Sequence, residues 1–301
     1  MLFCIKVPTP PTQHTRPTLK LYAITTSYFP NEALILENFQ KVKDYVESYI
    51  VVDNSESYNF STLNDHDSIH IIKSANVGVS GGLNKGIAHA KACGADQVIL
   101  FDQDSLVSDS MIPELLNTLA QSTQGCTIVA PNIVDTKSKA SIHERYFDRG
   151  TQVNDRYVEV PATQMSGLLI PMTVFDKVGP FDENYFLDLA DSEWCWRARN
   201  KHCKIIIDTK AVLFHEYGEG TKSILGYKFS YGAPFRSYYI SRDRLNFLAE
   251  SKTSLIHKAR LATKFLLLFI EAFFLKQPFA RLKYLFKGVV DFFAGVRGKG
   301  L

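Results

Sequence analysis

The sequence predicts an α/β fold, a mixed and mostly parallel sheet flanked by helices, with a C-terminal helical extension. Three observations carry this. From Leu19 onward, short apolar β-branched runs alternate with stretches of helical periodicity. Polar clusters recur where the runs stop: Thr25 to Ser27, Asp53 to Ser55, and Asp102 to Ser105. After residue 252 the composition shifts to Phe and Leu studded with Lys and Arg.

The elements follow in order. Residues 21–28 (LYAITTSY) form a buried strand, and 31–48 carry Leu34, Leu36, Phe39, Val42, Tyr45 and Val46 at helical spacing. Residues 48–55 and 68–74 are the next strands. A Gly-rich loop over 75–94 runs into a helix, and 96–105 is a strand ending in acids. Further strands are expected at 126–134 and 164–175, on either side of a polar stretch at 135–160. Residues 178–208 read as loop, short helix and strand. In open parallel sheets ligands bind outside the carboxyl ends of the strands, which is where the polar clusters fall.

Composition bounds the function. A chain of 301 residues suits one large domain or two small ones. With 46% hydrophobic and 22% charged residues, global disorder, collagen and a polytopic membrane protein are excluded. A net charge of +3 does not argue for nucleic acid. Its distribution is uneven. Residues 252–301 hold ten Lys/Arg against two Asp/Glu, while the preceding residues hold 24 against 29. Residues 1–18, with Pro8, Pro10, Pro11 and Pro17 and no long apolar run, are expected to be an unstructured leader. Domain limits are placed at 19–250 and 251–301. Five cysteines, at 4, 93, 126, 195 and 203, show no CxxC spacing, so free thiols in a reducing cytoplasm are expected.

Four motifs carry chemistry. Asp102 and Asp104 end an apolar strand, where two carboxylates can reach one hard cation such as Mg²⁺ or Mn²⁺. A plain turn explains them equally well. The loop from Asn76 to Gly86 matches neither the dinucleotide fingerprint nor the P-loop. Its glycines still let backbone approach a ligand, and Asn76 and Asn84 supply amides. Asp191 opens a helix. Glu193 and Arg197 are i, i+4 and pair, whereas Asp191 lies about 200° from Glu193 around the axis. Asp191 is therefore the general-base candidate, with a helix cap as the alternative. His215 ends an apolar run and is either a ligand or a structural histidine.

Together these stretches resemble the family-2 inverting glycosyltransferases of GT-A fold, and within them the bacterial dTDP-L-rhamnose-dependent rhamnosyltransferases. The matching segments are ITTSYFPN (24–31), VVDNS (51–55), NVGVSGGLNKGIAHA (76–90), LFDQDS (100–105), MSGLLIP (165–171), GPFDENYFLDLADSEWCWRAR (179–199), His215 with Gly218, and FRSYYISRDRLNF (235–247). The resemblance implies that Thr25 and Asp53 hold the base and ribose. Asn76, Gly78, Gly82 and Asn84, with Asp102, line the nucleotide. Asp102 and Asp104 are the pair that binds Mg²⁺ or Mn²⁺, with Asp104 the direct ligand and His215 the further ligand candidate noted above, and Asp191 is the catalytic base. Ser166, Gly167 and Trp194 shape the sugar and acceptor pocket, and Arg242 reaches the diphosphate. Asp243 stands where many relatives carry Asn. The implied partners are dTDP-L-rhamnose and a saccharide acceptor, lipid-linked in cell-surface polysaccharide synthesis. Other donors (a UDP-hexose or UDP-galactofuranose) and an inert scaffold are the competing readings. The triad of Asp102, Asp104 and Asp191 argues against a scaffold.

The tail completes the expectations. Residues 261–275 are too short and too interrupted to span a bilayer. Over 255–295 apolar and basic positions alternate at helical spacing, as in an interfacial helix on an anionic membrane surface. The basic face is read as Lys276, Arg281, Lys283 and Lys287. This places the protein in the cytoplasm, peripheral at the inner face of the cell membrane. The alternative is a helix pair packed on the catalytic body or in a homo-oligomer interface.

Overall fold

A computed structural model describes residues 19–122, 125–136, 139, 141, 150–215, 220–224 and 227–301. The expected leader lies outside these residues, as does Gly218.

The strands are β1 (Leu21–Ser27), β2 (Ser48–Asp53), β3 (Ile69–Lys73), β4 (Gln97–Asp102), β5 (Leu106–Val107), β6 (Thr127–Asp135), β7 (Thr151–Gln152), β8 (Tyr157–Glu159), β9 (Leu169–Pro171), β10 (Lys204–His215), β11 (Gly220–Ile224) and β12 (Tyr227–Tyr231). The helices are α1 (Glu32–Val42), α2 (Gly78–Ala92), α3 (Met111–Gln121), α4 (Met172–Val178), α5 (Ala190–Asn200), α6 (Arg236–Glu250), α7 (Leu255–Phe273) and α8 (Pro278–Phe293).

The main sheet runs β3-β2-β1-β4-β9-β6-β10-β8-β7, with β5 on β10. The first four strands are mutually parallel, β6 and β10 are parallel, and β9 inserts antiparallel between β4 and β6. Alternate residues feed two cores. Ile24, Val52, Val98 and Leu100 meet Leu83 and Ile87 of α2 and Trp194 of α5. Ala23, Val51, Ile99 and Phe101 meet Ile35 and Phe39 of α1 and Leu115 of α3. Burying both faces explains why these strands read as continuous apolar runs.

Local chemistry sets the elements. Asn31 caps α1 by accepting the Ala33 N–H at 3.1 Å. Glu32, one residue on, anchors the loop after β2, accepting the N–H groups of Ser61, Thr62 and Leu63 at 2.8–3.2 Å. Burial alone would raise the Glu32 carboxyl, but these donors outweigh it and hold it at about 2.

Two expectations are corrected. The strand predicted at 164–175 is only Leu169–Pro171, after which the chain turns into α4. Met172, Val174, Phe175 and Val178 are buried from the helix, and a short apolar run does not distinguish the two states. The cysteines are not all free. Cys126 and Cys203 form a disulfide, with Cα atoms 4.7 Å apart across 77 residues of sequence. Each stands just before a strand of the parallel pair β6 and β10, where Lys204 sits opposite Thr127. Sequence spacing cannot reveal a pairing that sheet register creates. Cys93 and Cys195 are free.

α6 leads through Ser251 to Ser254 into α7, and α8 folds back over α6. Gly288 of α8 lies against the Ser241 hydroxyl and the Tyr238 carbonyl. Arg281 is buried over the Tyr231 ring, and Lys287 pairs with Asp291 at 2.7 Å. The expected basic face is therefore corrected: Arg281 points inward, while Lys276 and Lys283 stay exposed. Exposed apolar side chains remain at Phe279, Phe286, Val290 and Phe293, spaced seven, four and three residues along one face of α8. Leu266, Ile270 and Phe273 are likewise exposed along α7. Among the described residues, no helix is long and apolar enough to cross a membrane.

Candidate active site

The carboxyl ends of β1, β2 and β4 sit side by side, with Thr26 opposite Val52 and Asp102, and Ser27 opposite Asp53. Asp102 closes β4, and a tight turn carries the chain to Ser105. Asp102, Asp104 and His215 offer ligand atoms that all lie within 4.8 Å of one another. Among the described residues this is the one such cluster of acidic, His or Cys side chains. His215 comes from the far end of β10, and its Nδ1 is 3.6 Å from Asp104 Oδ1 and 3.3 Å from Ser105 Oγ. Two carboxylates and an imidazole form an oxygen-rich donor set that suits Mg²⁺ or Mn²⁺. Burial pushes the Asp102 carboxyl up to about 6, with Asp104 adding to the rise and His215 and Arg236 opposing it.

A second shell of hydroxyls fixes this cluster. Ser166 Oγ accepts the Asp102 N–H at 3.0 Å and bonds Ser105 Oγ at 2.7 Å. Gly167, at φ +84°, donates its N–H to Leu100 O at 2.6 Å and lies against Pro131. Ser166 and Gly167 thus hold the acidic loop from below and are not pocket walls, since Ser166 is only 2% exposed.

Asp191 lies in the first turn of α5, after Leu189 in the left-handed region at φ 60°. Its Oδ1 accepts the Ser192 N–H at 2.6 Å. Burial pushes the Asp191 carboxyl up to about 7, against that hydrogen bond, and the charges of Asp188 and Asp102 add to the rise. The Asp102 effect brings Asp191 within electrostatic reach of the acidic cluster. Glu193 is occupied by Arg197, at 2.8 and 2.7 Å, and Arg197 also donates to Val178 O. The arrangement holds two carboxylates and an imidazole together and, on a separate element, one further carboxyl raised by burial.

These features have counterparts in known proteins. Residues 23–178 match the family described as Glycosyl transferase family 2, which is more than half of the chain. The chain belongs to glycosyl transferase family 2. This family-2 transferase is 25% identical over 287 residues to the dTDP-rhamnosyl transferase RfbF of Shigella flexneri, covering 92% of this chain and 96% of that protein. It is 27% identical over 196 residues to the low-salt glycan biosynthesis hexosyltransferase Agl10 of Haloferax volcanii, covering 58% and 63%. Residues 1–349 of S. aureus TarS in complex with UDP-GlcNAc superpose with a TM-score of 0.58 at 14% identity, covering 92% of this chain and 82% of that one. GalNAc-T7 with UDP, GalNAc and Mn²⁺ gives a TM-score of 0.56 at 12% identity, covering 83% and 55%, so this chain spans about half of that structure. The fold is the GT-A fold of these enzymes.

The other expected site residues make the following contacts. Thr25 points into the core, where its hydroxyl meets Tyr49 Oη at 2.8 Å. Thr26, on the opposite face, turns to α2 instead, and its buried hydroxyl has no partner. A one-residue step along a strand changes the face. Gly82 is small because Thr26 occupies the space a Cβ would need. Asp53 is fully buried, held by the Ser55 N–H at 3.0 Å and Lys73 at 2.8 Å. Asn76 accepts the Gly78 N–H at 3.2 Å, and Gly78 takes φ +75° against Phe186. Asn84 clamps the loop before α5, bonding Phe181 twice at 2.9 Å and Glu183 at 2.9 Å. Its amide thereby fixes the position of that loop.

Trp194 is corrected from pocket wall to core. It is fully buried against Phe175 and Phe181, with Nε1 donating to Gly179 O at 2.9 Å. Arg242 is also fully buried, under the rings of Tyr238 and Tyr239 and paired with Asp243 at 2.8 Å. Asp243 therefore serves as the Arg242 counter-ion. Sequence reading passed over Ser105 and Arg236. Ser105 was visible as the residue after the acids, but its bonds to Ser166 and His215 span 61 and 110 residues.

The buried charge of Asp191 generates a prediction. A carboxyl raised above its unfolded value of about 3.9 destabilises the fold once ionised, so the cost grows as pH rises through about 7. Asp191→Asn removes it. Partial exposure reduces the gain to about 1–2 kcal/mol at pH 8, vanishing at pH 4. The same variant loses roughly 10²–10⁴ in turnover. Glu193→Gln, which breaks the Arg197 clamp, loses stability and much less turnover. Thermal melts at both pH values with initial rates check this, and a larger rate loss in Glu193→Gln contradicts it.

Proposed function

We propose that this chain transfers L-rhamnose from dTDP-L-rhamnose, with inversion, to a lipid-linked saccharide in the synthesis of bacterial cell-surface polysaccharide. The observation that carries it is the cluster of Asp102, Asp104 and His215 at the strand ends, with Asp191 in the first turn of α5 close enough to feel the Asp102 charge. Similarity to a dTDP-rhamnosyl transferase along 92% of the chain supports the donor.

In this reading the acceptor hydroxyl attacks the anomeric carbon of the donor. The bond from that carbon to the diphosphate oxygen breaks, and the nucleoside diphosphate leaves with the electron pair through an oxocarbenium-like transition state. Asp191 takes the acceptor proton, which its raised affinity suits near neutral pH. Asp102, Asp104 and His215 would hold Mg²⁺ or Mn²⁺, which when bound would supply positive charge to offset that of the leaving diphosphate. Ser105 and Ser166 keep the ligating side chains aimed.

The experiment is a donor screen with Mg²⁺ and Mn²⁺, reading nucleoside diphosphate release with and without acceptor. dTDP-L-rhamnose is expected to be the preferred donor, and Asp104→Asn to abolish release at every metal concentration. A faster reaction with a UDP-hexose or UDP-galactofuranose overturns the donor. Release independent of divalent metal overturns the cation site. No turnover with any donor, alongside an intact fold, favours a scaffold.

The tail supports a position at the inner face of the cell membrane, where a lipid-linked acceptor resides. Exposed Phe279, Phe286 and Phe293, with Lys276 and Lys283 beside them, present apolar surface and positive charge together. Replacing the three phenylalanines with Ser is expected to lower partitioning onto anionic vesicles more than tenfold, since each gives up roughly 1 kcal/mol or more of apolar burial. Activity on a short soluble acceptor is retained. Co-sedimentation with phosphatidylglycerol vesicles measures it. Equal sedimentation of the two proteins contradicts the membrane reading, and a concentration-dependent mass lost in the variant favours a homo-oligomer.

A further inference from the structure

The segment after α8 turns back across the catalytic body. Arg297 reaches Glu250 at 2.7 Å, and the Gly298 N–H donates to Asn184 O at 3.2 Å. Lys299 Nζ stands 3.8 Å from Glu56. A Cβ on Gly300 would collide with Tyr238 Oη, so only glycine lets the chain lie this close. The Leu301 backbone hydrogen-bonds Tyr239. Residues 297–301 therefore touch α6, the loop before α5 and the loop after β2.

The last two loops flank one turn. From one side, Asn54 Nδ2 donates to Gly78 O at 2.8 Å. From the other, Phe186 O accepts the Val79 N–H at 2.8 Å, and the Phe186 ring packs on Gly78. Phe186 in turn stacks on Tyr239, with centroids 5.0 Å apart. A segment tied to Asn184 on one side and Glu56 on the other joins the two loops that hold the turn opening α2. Beside Glu56 lies a cleft of about 480 Å³ lined by Tyr58, Asn59, Lys73 and Ser74. Lys73 also holds the buried Asp53. In the donor reading above, Asp53 and the Asn76–Gly78 turn face the nucleoside, and the strap is tied to the loops on both sides of that turn.

We propose that residues 296–301 form a strap that walls the nucleoside end of the donor cleft, so that tight binding of a nucleoside diphosphate requires this segment seated across the Asn76–Gly78 turn. This rests on the donor reading above. The Lys299–Glu56 pair is loose and exposed, 48% and 70%, which lets the strap lift for ligand entry at small cost. The Gly300 contact with Tyr238 seats it again. The strap positions the donor and takes no part in bond making.

The test measures dTDP and UDP binding by calorimetry in the full chain, with Mn²⁺ binding measured alone as a control on the acidic cluster. Gly300→Val blocks seating and is expected to weaken the preferred nucleotide about tenfold. Lys299→Glu sets like charges together and weakens it about threefold, and adding Glu56→Lys restores it. Donor KM rises in step while kcat and Mn²⁺ affinity hold. Unchanged nucleotide affinity in both single variants, or tighter binding in either, overturns the strap alone. Failure of the unmodified chain to bind either nucleotide overturns the donor reading and the strap with it.

Discussion

The buried hydroxyl of Ser166 ties the site together. It accepts the Asp102 N–H and bonds Ser105, which reaches His215. Three strands that are distant in sequence, β4, β9 and β10, end around that chain of bonds. The insertion of antiparallel β9 between β4 and β6 delivers Ser166 to this spot. Without it, two carboxylates on a strand end would be an ordinary turn. With it, they are held toward an imidazole in a fixed geometry.

That arrangement costs stability. Asp102, Asp191 and Asp243 are all pushed up by burial, to about 6, 7 and 7. Their placement differs in consequence. Asp243 is answered by Arg242, a pair enclosed by aromatic rings. Among the described residues, no Arg or Lys forms an ion pair with Asp102 or Asp191, and in the proposed function their charge meets a cation and a proton. The two apolar cores on either face of the sheet offset this strain, as sites of function commonly require.

The fold was legible because its physics is local. Alternating apolar runs and helical periods marked β1 to β4 with α1 and α2, and polar clusters marked the strand ends, while α3 went unread. The Glu193–Arg197 pair followed from helical spacing alone. What escaped was everything that depends on register between distant segments. Thr25 and Thr26 are neighbours whose faces only the sheet distinguishes. The Cys126–Cys203 disulfide and the Ser166 hydroxyl chain join residues far apart in sequence. Trp194 looked like a recognition residue because aromatics serve both pockets and cores, and burial decided for the core. Arg281 looked solvent-facing because helical spacing cannot say what packs against a helix.

The central claim is that Asp102, Asp104 and His215 act as one cation site with Asp191 facing it. Crystals grown with Mn²⁺ and dTDP, measured for anomalous scattering at the manganese edge, test it most directly. The account predicts one strong peak within bonding distance of Asp104 and at least one of Asp102 and His215, with the dTDP phosphates on its open side and Asp191 across from them. A peak bound elsewhere, or dTDP ordered in the cleft with no manganese at these residues, would contradict it.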